Sequence, residues 1–218
     1  MNGRIENISE LKSQFGQDLF VLYQKRFKRN GCFVEFGATD GISISNTYIL
    51  EKDYGWTGIL AEPAKIWHAQ LRKNREVNID FRCVWSHSRE KILFKETNVK
   101  ELSTINQYSS IDMHSDMRVK GSCYEVETIS LMDLLDEYKA PGKIDYLSID
   151  TEGSEFEILK DFDFQKYHID IITVEHNFTE MREKIFNLLI FKGYRRVFIE
   201  HSDVDDWYVH DRFYSACI

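Results

Sequence analysis

The sequence lacks several features that would each point to a particular class of protein. It has no excess of basic residues, since 28 Lys and Arg stand against 36 Asp and Glu and give a formal charge of −8. Composition therefore does not supply the broad basic surface with which nucleic-acid-binding proteins follow phosphates. No apolar run approaches the roughly 20 residues that a membrane span needs, and the first residues contain no apolar signal core. We expect a cytoplasmic protein with no nucleic-acid partner and no membrane span.

The four cysteines lie far apart, at Cys32, Cys83, Cys123 and Cys217, and form no Cys-x-x-Cys pair. Closely spaced pairs of that kind are typical of zinc and redox sites. Scattered cysteines in or beside apolar runs are more often buried thiols. The pattern predicts reduced, buried cysteines without disulfides or zinc.

The length of 218 residues is typical of one large domain, so we expect a single domain over residues 1–218. An N-terminal helical segment is predicted over 1–30, because apolar residues at spacings of three and four indicate an amphipathic helix at about 9–28. From residue 32 onward, strand-like and helix-like segments alternate, with a third strand at 79–85. This alternation predicts an α/β fold whose parallel sheet carries crossover helices.

Two later segments depart from the alternation. Strand-like runs at 194–200 and 206–214 have no helix between them, which predicts a closing antiparallel hairpin. The polar, serine-rich segment 96–122 is interpreted as an inserted loop, either a lid or a surface excursion, because long connections inside a domain are usually functional or mobile.

The stretch "FVEFGATDG", residues 33–41, is a strand-like run that ends in a glycine turn. In open parallel sheets, ligands bind at the carboxyl ends of the strands. A dinucleotide fingerprint, G-x-G-x-x-G, that begins at Gly37 would need glycine where Thr39 and Ile42 stand. The turn therefore does not match a pyrophosphate-binding loop.

The charges of the turn favour a cationic ligand. Glu35 and Asp40 would repel a pyrophosphate, but they would attract S-adenosylmethionine, which carries a sulfonium and an ammonium group and no phosphate. Glu62, which follows the second strand in "GILAEP", is an acid at the place where a carboxylate can accept hydrogen bonds from both ribose hydroxyls. Trp85 and Ser86, at the end of the third strand, are candidates for bordering an adenine.

Two longer segments, joined by linked motifs, resemble the FkbM-type S-adenosylmethionine-dependent methyltransferases. They are "FVEFGATDGISISNTYILEKDYGWTGILAEP" and "VETISLMDLLDEYKAPGKIDYLSIDTEGSEFEILKDFDF". The motifs are the glycine turn, Ser-Asn-Thr at 45–47, Gly-Trp-x-Gly at 55–58, Glu-Pro at 62–63 and Asp-x-Glu-Gly-x-Glu at 150–155. The resemblance covers about residues 14–175.

The resemblance implies a class I methyltransferase fold, a Rossmann-like seven-stranded sheet with helices on both faces and an antiparallel last strand. It also implies O-methylation, commonly of a hydroxyl group on a sugar, glycan or polyketide-like product, and we expect the acceptor to be a hydroxylated small molecule or glycan. With the residue arguments above, the expected cofactor-binding residues are Glu35, Gly37, Ala38, Asp40, Gly41, Asn46, Glu62, Trp85, Ser86 and Asp150.

Methyl transfer to a hydroxyl requires a group that accepts the hydroxyl proton. His176, in "TVEHN" at the end of the fifth strand, is the first candidate, because histidine can be a neutral base near pH 7. Asp150 is the second candidate, and Glu152 or Glu175 could orient either one.

Three alternatives stay open at this point. A divalent metal ion held by Asp150, Glu175, His176 and Asn177 is chemically reasonable, but no spacing in the sequence is diagnostic of metal, so a site without metal is favoured. A NAD-dependent oxidoreductase is disfavoured, because Thr39 stands where the dinucleotide fingerprint needs a glycine.

A non-catalytic module could use the 96–122 loop and the carboxyl-terminal hairpin to bind a partner. The sequence leaves the acceptor and the oligomeric state undetermined.

Overall fold

A computed structural model describes residues 10–215 of the chain, with side chains through residue 213. Its strands are β1 (Cys32–Phe36), β2 (Thr57–Ala61), β3 (Asn78–Asp80), β4 (Cys83–Trp85), β5 (Lys91–Glu96), β6 (Thr104–Ile105), β7 (Ser122–Ser130), β8 (Lys143–Ile149), β9 (His168–Glu175), β10 (Tyr194–Val197) and β11 (Asp205–His210). Its α-helices are α1 (Gln17–Gln24), α2 (Tyr48–Lys52), α3 (His68–Asn74), α4 (Ser115–Arg118), α5 (Leu131–Glu137), α6 (Glu155–Leu159), α7 (Met181–Phe191) and α8 (Asp211–Ser215).

Seven strands form the main sheet in the order β10-β11-β9-β8-β1-β2-β3. Strand β1 pairs in parallel with β2 and β8, and β8 pairs in parallel with β9. Strand β11 runs antiparallel to both β9 and β10. The predicted α/β fold and its antiparallel last strand are confirmed. The closing hairpin is also confirmed, but its strands end earlier than predicted, at Val197 and His210, and α8 follows the second strand.

The central strands are buried on both faces, as expected where helices cover a parallel sheet. Side chains alternate along each strand, so Val34 of β1 packs on one face and Phe33 on the other. Helices α5, α6 and α7 cover the Val34 face, and α1, α2 and α3 cover the Phe33 face. None of the helices between residues 10 and 215 has the length and apolar character needed to cross a membrane.

The prediction of a single strand at 79–85 is wrong, because the structure has two strands there, β3 and β4. Asp80 accepts a hydrogen bond from the Arg82 amide at 2.8 Å and pairs with the Arg82 guanidinium at 2.6 Å, which turns the chain between the two strands. Strand β3 stays in the main sheet, whereas β4 joins a second sheet of order β4-β7-β5-β6. Segment 96–122 contributes β6 to this second sheet and also contains α4.

The predicted helix at 9–28 is shorter in the structure, where α1 covers residues 17–24. Before it, the Asp18 carboxylate accepts hydrogen bonds from the Lys12 and Ser13 amides at 3.0 and 3.3 Å, and Gly16 adopts φ +84°. This local turn replaces the first helical turns. Residue 9 and those before it lie outside the described residues.

The cysteines follow the prediction in part. Cys32, Cys83 and Cys123 are free thiols, of which Cys83 is buried, Cys32 is half-buried and Cys123, near the start of β7, is exposed. Cys217 lies outside the described residues.

A buried ionic network holds the glycine turn against α3. Arg75, at the end of α3, has no exposed side-chain surface and pairs with Glu51 at 2.5 Å, while its guanidinium lies 3.7 Å from Glu35. Glu35 also accepts hydrogen bonds from the Asn46 amide at 2.7 Å and the Thr47 hydroxyl at 2.5 Å. The Glu35 carboxylate is therefore buried beneath the turn, with its hydrogen bonds made to other protein groups.

Arg75→Met is expected to lower the free energy of unfolding by about 3–5 kcal/mol, because it leaves the buried Glu35 carboxylate without its compensating charge. Chemical denaturation measures the change. Lys73→Ala, an exposed position on the same helix, is the matched control and should change stability by less than about 0.5 kcal/mol. Equal stability of the two variants would contradict the assigned role of the network.

Candidate active site

A cavity of about 320 Å³ lies where β1, β2, β8 and β9 end. Its size falls at the lower end of the range for small-molecule sites. Gly37 follows β1, Glu62 follows β2, Asp150 follows β8 and Glu175 ends β9, and all four line the cavity. The sheet thus brings together residues that are far apart in the sequence, at the edge where parallel α/β sheets bind ligands.

Glu62 forms one end of the cavity and is held by two main-chain donors. One carboxylate oxygen accepts a hydrogen bond from the Thr39 amide at 2.9 Å, and the other accepts one from the Ala64 amide at 2.8 Å. Burial raises the pKa of Glu62 to about 7, and the two amides oppose that rise. Because a carboxylate oxygen can accept more than one hydrogen bond, both oxygens keep capacity for ligand hydroxyls.

The glycine turn touches the main chain of Asp150. Gly37 adopts φ +74°, and a Cβ atom added there would lie 2.0 Å from the Asp150 carbonyl oxygen. A side chain would therefore be excluded both by conformation and by space. This contact joins the Glu62 end of the cavity to the β8 end.

Three carboxylates gather at that second end. Asp150, Glu152 and Glu175 each present a carboxylate oxygen, and these atoms all lie within 4.8 Å of one another. Burial, with the charge of Asp205, raises the pKa of Asp150 to about 8. Burial and then the charge of Asp150 also raise the pKa values of Glu152 and Glu175 well above the usual range for glutamate.

Arg118 ties segment 96–122 to this cluster. Its side chain is fully buried, and it pairs with Glu152 and with Asp112, each at 2.6 Å, while its Nε donates to the Leu102 carbonyl at 2.7 Å. Sequence reasoning missed Arg118, because a single arginine in a polar segment carries no distinguishing pattern. The same segment contributes part of the cavity wall, namely Lys100, Glu101, Leu102, Ser103, Ile105, Met113 and His114.

Several cavity-lining residues have unusual backbone conformations. Thr39, Glu152 and Asn177 adopt φ values of 47°, 60° and 42°, in the left-handed region that non-glycine residues rarely occupy. Such conformations cluster at functional sites, because the surrounding structure must maintain them against their cost. Their concentration around this cavity supports its assignment as the functional site.

Three of the predicted cofactor residues, Gly37, Glu62 and Asp150, line the cavity. Glu35 and Asn46 belong to the network with Arg75 beneath the turn. The placement of Glu35 follows from strand alternation, which directs it to the side of β1 that α2 and α3 cover.

The other predicted cofactor residues lie outside the cavity wall. Asp40 accepts hydrogen bonds from the amides of residues 42 and 43 at 2.8 and 2.7 Å, Ala38 is buried, and Gly41 abuts α3. Trp85 faces the Tyr108 ring at 5.8 Å, and the Ser86 hydroxyl lies 2.9 Å from the His87 ring. At the end of β4 the wall is made instead by Cys83 and Val84.

His176 is buried beside the cavity but does not line it. Its Nδ1 accepts a hydrogen bond from the Phe178 amide at 3.0 Å, and its Nε2 lies 3.6 Å from an Asp206 oxygen. Its neighbours Glu175 and Asn177 do line the cavity. At the end of a strand, successive side chains point to opposite sides, which accounts for the difference.

The sheet order and the cavity at the carboxyl ends of its strands define a Rossmann-like methyltransferase fold of class I. The chain belongs to the methyltransferase FkbM domain family, whose model matches residues 35–208. The resemblance noted from the motifs is thereby confirmed. No curated protein matches the chain.

Two solved structures are similar at low identity. Precorrin-6y C5,15-methyltransferase from Geobacter metallireducens is 13% identical with a TM-score of 0.45, and the match covers 82% of this chain and 71% of that chain. A fibrillarin/Nop5p complex gives 12% identity and a TM-score of 0.42, with 91% of this chain and 80% of that chain covered.

Gly37→Ala is expected to lower the free energy of unfolding by about 2–4 kcal/mol, because it adds a strained φ and a clash with the Asp150 carbonyl. Gly142→Ala is the control, since a Cβ there would meet only the Lys166 carbonyl oxygen, at 3.8 Å. Denaturant titration compares the two variants. A Gly37→Ala protein as stable as the control would show that the two strand ends are not in firm contact.

Proposed function

We propose that the protein is an S-adenosylmethionine-dependent O-methyltransferase that acts on a hydroxyl group of a sugar or glycan. Family membership supports methyl transfer from S-adenosylmethionine. The observation that carries the finer proposal is one cavity with a carboxylate held by main-chain amides at one end and three carboxylates at the other.

The residues present fit this cofactor. Glu62 has free acceptor capacity for the two ribose hydroxyls. Of the described residues that line the cavity, Lys100 is the one lysine or arginine, and its ammonium lies 5.1 Å from the Trp67 ring centre. A cavity so poor in basic groups and rich in carboxylates favours a cationic ligand over a pyrophosphate.

When bound, S-adenosylmethionine supplies an electrophilic methyl group, which the acceptor oxygen takes as the carbon–sulfur bond breaks and a neutral thioether leaves. The chain's own contribution is to orient the acceptor and to accept its hydroxyl proton. Asp150 is the proposed proton acceptor, because its side chain lines the cavity and its main chain touches the glycine turn. Carboxylate oxygens at this end also suit an acceptor with several hydroxyl donors.

The segment 96–122 is proposed to cover the acceptor and to exclude water. It contributes seven of the residues that line the cavity, and Arg118 anchors it to Glu152. Exclusion of water strengthens the electrostatic interactions within such a site.

Affinity for S-adenosylhomocysteine is expected to rise from pH 6 to pH 8. With a pKa of about 7, Glu62 is ionised to about a tenth at pH 6 and about nine tenths at pH 8, and the ionised form accepts the ribose hydroxyls better. Glu96, Cys83 and Tyr124 are ionisable groups that interact with the Glu62 carboxylate, and the ring of His68 lies 3.1 Å from the Glu62 main-chain carbonyl. Isothermal titration calorimetry across this pH range should show an increase of about five- to tenfold.

Glu62→Gln is the control for that experiment, because the amide keeps the shape of the side chain but does not ionise in this range. We expect weaker binding of S-adenosylhomocysteine at every pH and a flat profile. If the affinity of Glu62→Gln still rises with pH as in the wild type, a group other than Glu62 is responsible for the pH dependence. Binding of NAD in place of S-adenosylhomocysteine would contradict the proposed cofactor.

Asp150→Asn is expected to reduce turnover about 100-fold or more while affinity for S-adenosylhomocysteine stays nearly intact, because a proton acceptor contributes about that much to the rate. Transfer of a tritiated methyl group to a panel of hydroxylated sugars and glycans measures turnover. No transfer to any acceptor by the wild-type protein would favour a non-catalytic binding module.

His176→Gln, measured in the same assay, separates the two candidates for the proton acceptor. Its contacts with Phe178 and Asp206 support a positioning role, for which we expect a smaller loss than in Asp150→Asn. A larger loss in His176→Gln, at equal thermal stability of the two variants, would transfer the role to His176.

A further inference from the structure

We propose that Asp150, Glu152 and Glu175 form a binding site for one hard divalent cation, with the side-chain carbonyl of Asn177 as an additional ligand. The site is distinct from the Glu62 end of the cavity. The geometry of the cluster supports the site by itself, and the use of the site in catalysis rests on the proposed function.

The spacing of the three carboxylates suits a single ion. Each offers an oxygen within 4.8 Å of the other two. Ligands on opposite sides of a cation lie about 4.2 Å apart for Mg²⁺ and about 4.6–5.2 Å apart for Ca²⁺, from their usual metal–oxygen distances. One ion can therefore contact all three carboxylates with at most small side-chain movements.

Two buried oxygen atoms at this end of the cavity have no partner in the protein. They are Oε2 of Glu175 and Oδ1 of Asn177, whose residues are only 8% and 6% exposed. Asn177 donates its Nδ2 hydrogen to Glu152 at 3.1 Å, which fixes the orientation of the amide and leaves its oxygen free. Buried acceptors without partners are rare and costly, so these two atoms indicate that a ligand binds at this position.

The charge of the cluster is not balanced by the protein. Arg118 pairs with Glu152, but the same guanidinium also pairs with Asp112. Within residues 10–215, no salt bridge joins Asp150 or Glu175 to a basic side chain. Carboxylates that are buried together without such pairing are usually neutralised by a proton or a cation.

The donor atoms indicate the class of ion. Within the described residues the clustered ligand atoms are the carboxylate oxygens of Asp150, Glu152 and Glu175, and His176 does not belong to this group. The Nδ1 atom of His176 accepts a hydrogen bond from the Phe178 amide, and its Nε2 atom, which makes no hydrogen bond with a described residue, lies 3.6 Å from an Asp206 oxygen. Oxygen-only sites prefer Mg²⁺, Mn²⁺ or Ca²⁺ over zinc. His176, which the sequence suggested as a metal ligand, is replaced in this site by Glu152.

In methyl transfer, such an ion would orient the acceptor hydroxyl and favour loss of its proton. The proton would pass to a cluster carboxylate through an oxygen that does not contact the ion. No other reactant is needed beyond those of the proposed function.

The test is a Mn²⁺ titration of the full-length protein, after treatment with EDTA and exchange into chelator-free buffer, with free Mn²⁺ followed by electron paramagnetic resonance. We expect one Mn²⁺ per chain, displaced by excess Mg²⁺ or Ca²⁺. Glu175→Gln should weaken Mn²⁺ binding at least about tenfold. The matched control is Glu125→Gln, an exposed glutamate on β7, which should bind Mn²⁺ as the wild type does.

S-adenosylhomocysteine affinity, measured on the same samples, separates this proposal from the proposed function. Mn²⁺ binding that is lost in Glu175→Gln, with affinity for S-adenosylhomocysteine retained, supports the cation site. Mn²⁺ binding without any binding of S-adenosylhomocysteine also supports the site while refuting the proposed function. No bound Mn²⁺, or equal Mn²⁺ affinity in wild type and Glu175→Gln, overturns the cation site and leaves the proposed function untouched.

Discussion

The buried contact between Arg75 and the carboxylates of Glu35 and Glu51 is the interaction on which the site depends. It fastens the end of α3 to β1 and to the residues that follow the glycine turn. Because Arg75 fixes the position of the glycine turn, Gly37 lies against the Asp150 carbonyl, and the Thr39 amide donates a hydrogen bond to Glu62. A buried ion pair is costly to break, so the network maintains one arrangement of the turn.

The structure gives the acidic residues of the glycine turn a different role from the one that the sequence predicts. Glu35 and Asp40, the acids from which the sequence predicts a cationic cofactor, both accept hydrogen bonds from neighbouring amides and hydroxyls within the protein. The acids that line the cavity are instead Glu62, the three carboxylates of the opposite end, Glu101 and Asp203. The cavity is acidic, as a cationic ligand requires, but residues other than Glu35 and Asp40 supply its carboxylates.

Segment 96–122 gives the second end of the cavity its shape. Arg118 bridges Asp112 and Glu152, and Thr104 donates a hydrogen bond to the Glu152 carbonyl at 2.9 Å. These contacts place a sequence-distant segment over the Asp-x-Glu-Gly turn that starts at Asp150. The same contacts surround Glu152 in its left-handed conformation, with φ 60°.

The sequence by itself determined the alternation of strands and helices, the closing hairpin, and the places of Gly37, Glu62 and Asp150, because these depend on local periodicity and on the ends of apolar strands. It could not determine which way a side chain at a strand end points, so His176 and Glu35 were assigned to a cavity that they do not line. Nor could it reveal Arg118, whose partners come from separate parts of the chain. Only the tertiary structure decided those roles, because burial, pairing and unpartnered oxygens depend on contacts between distant residues.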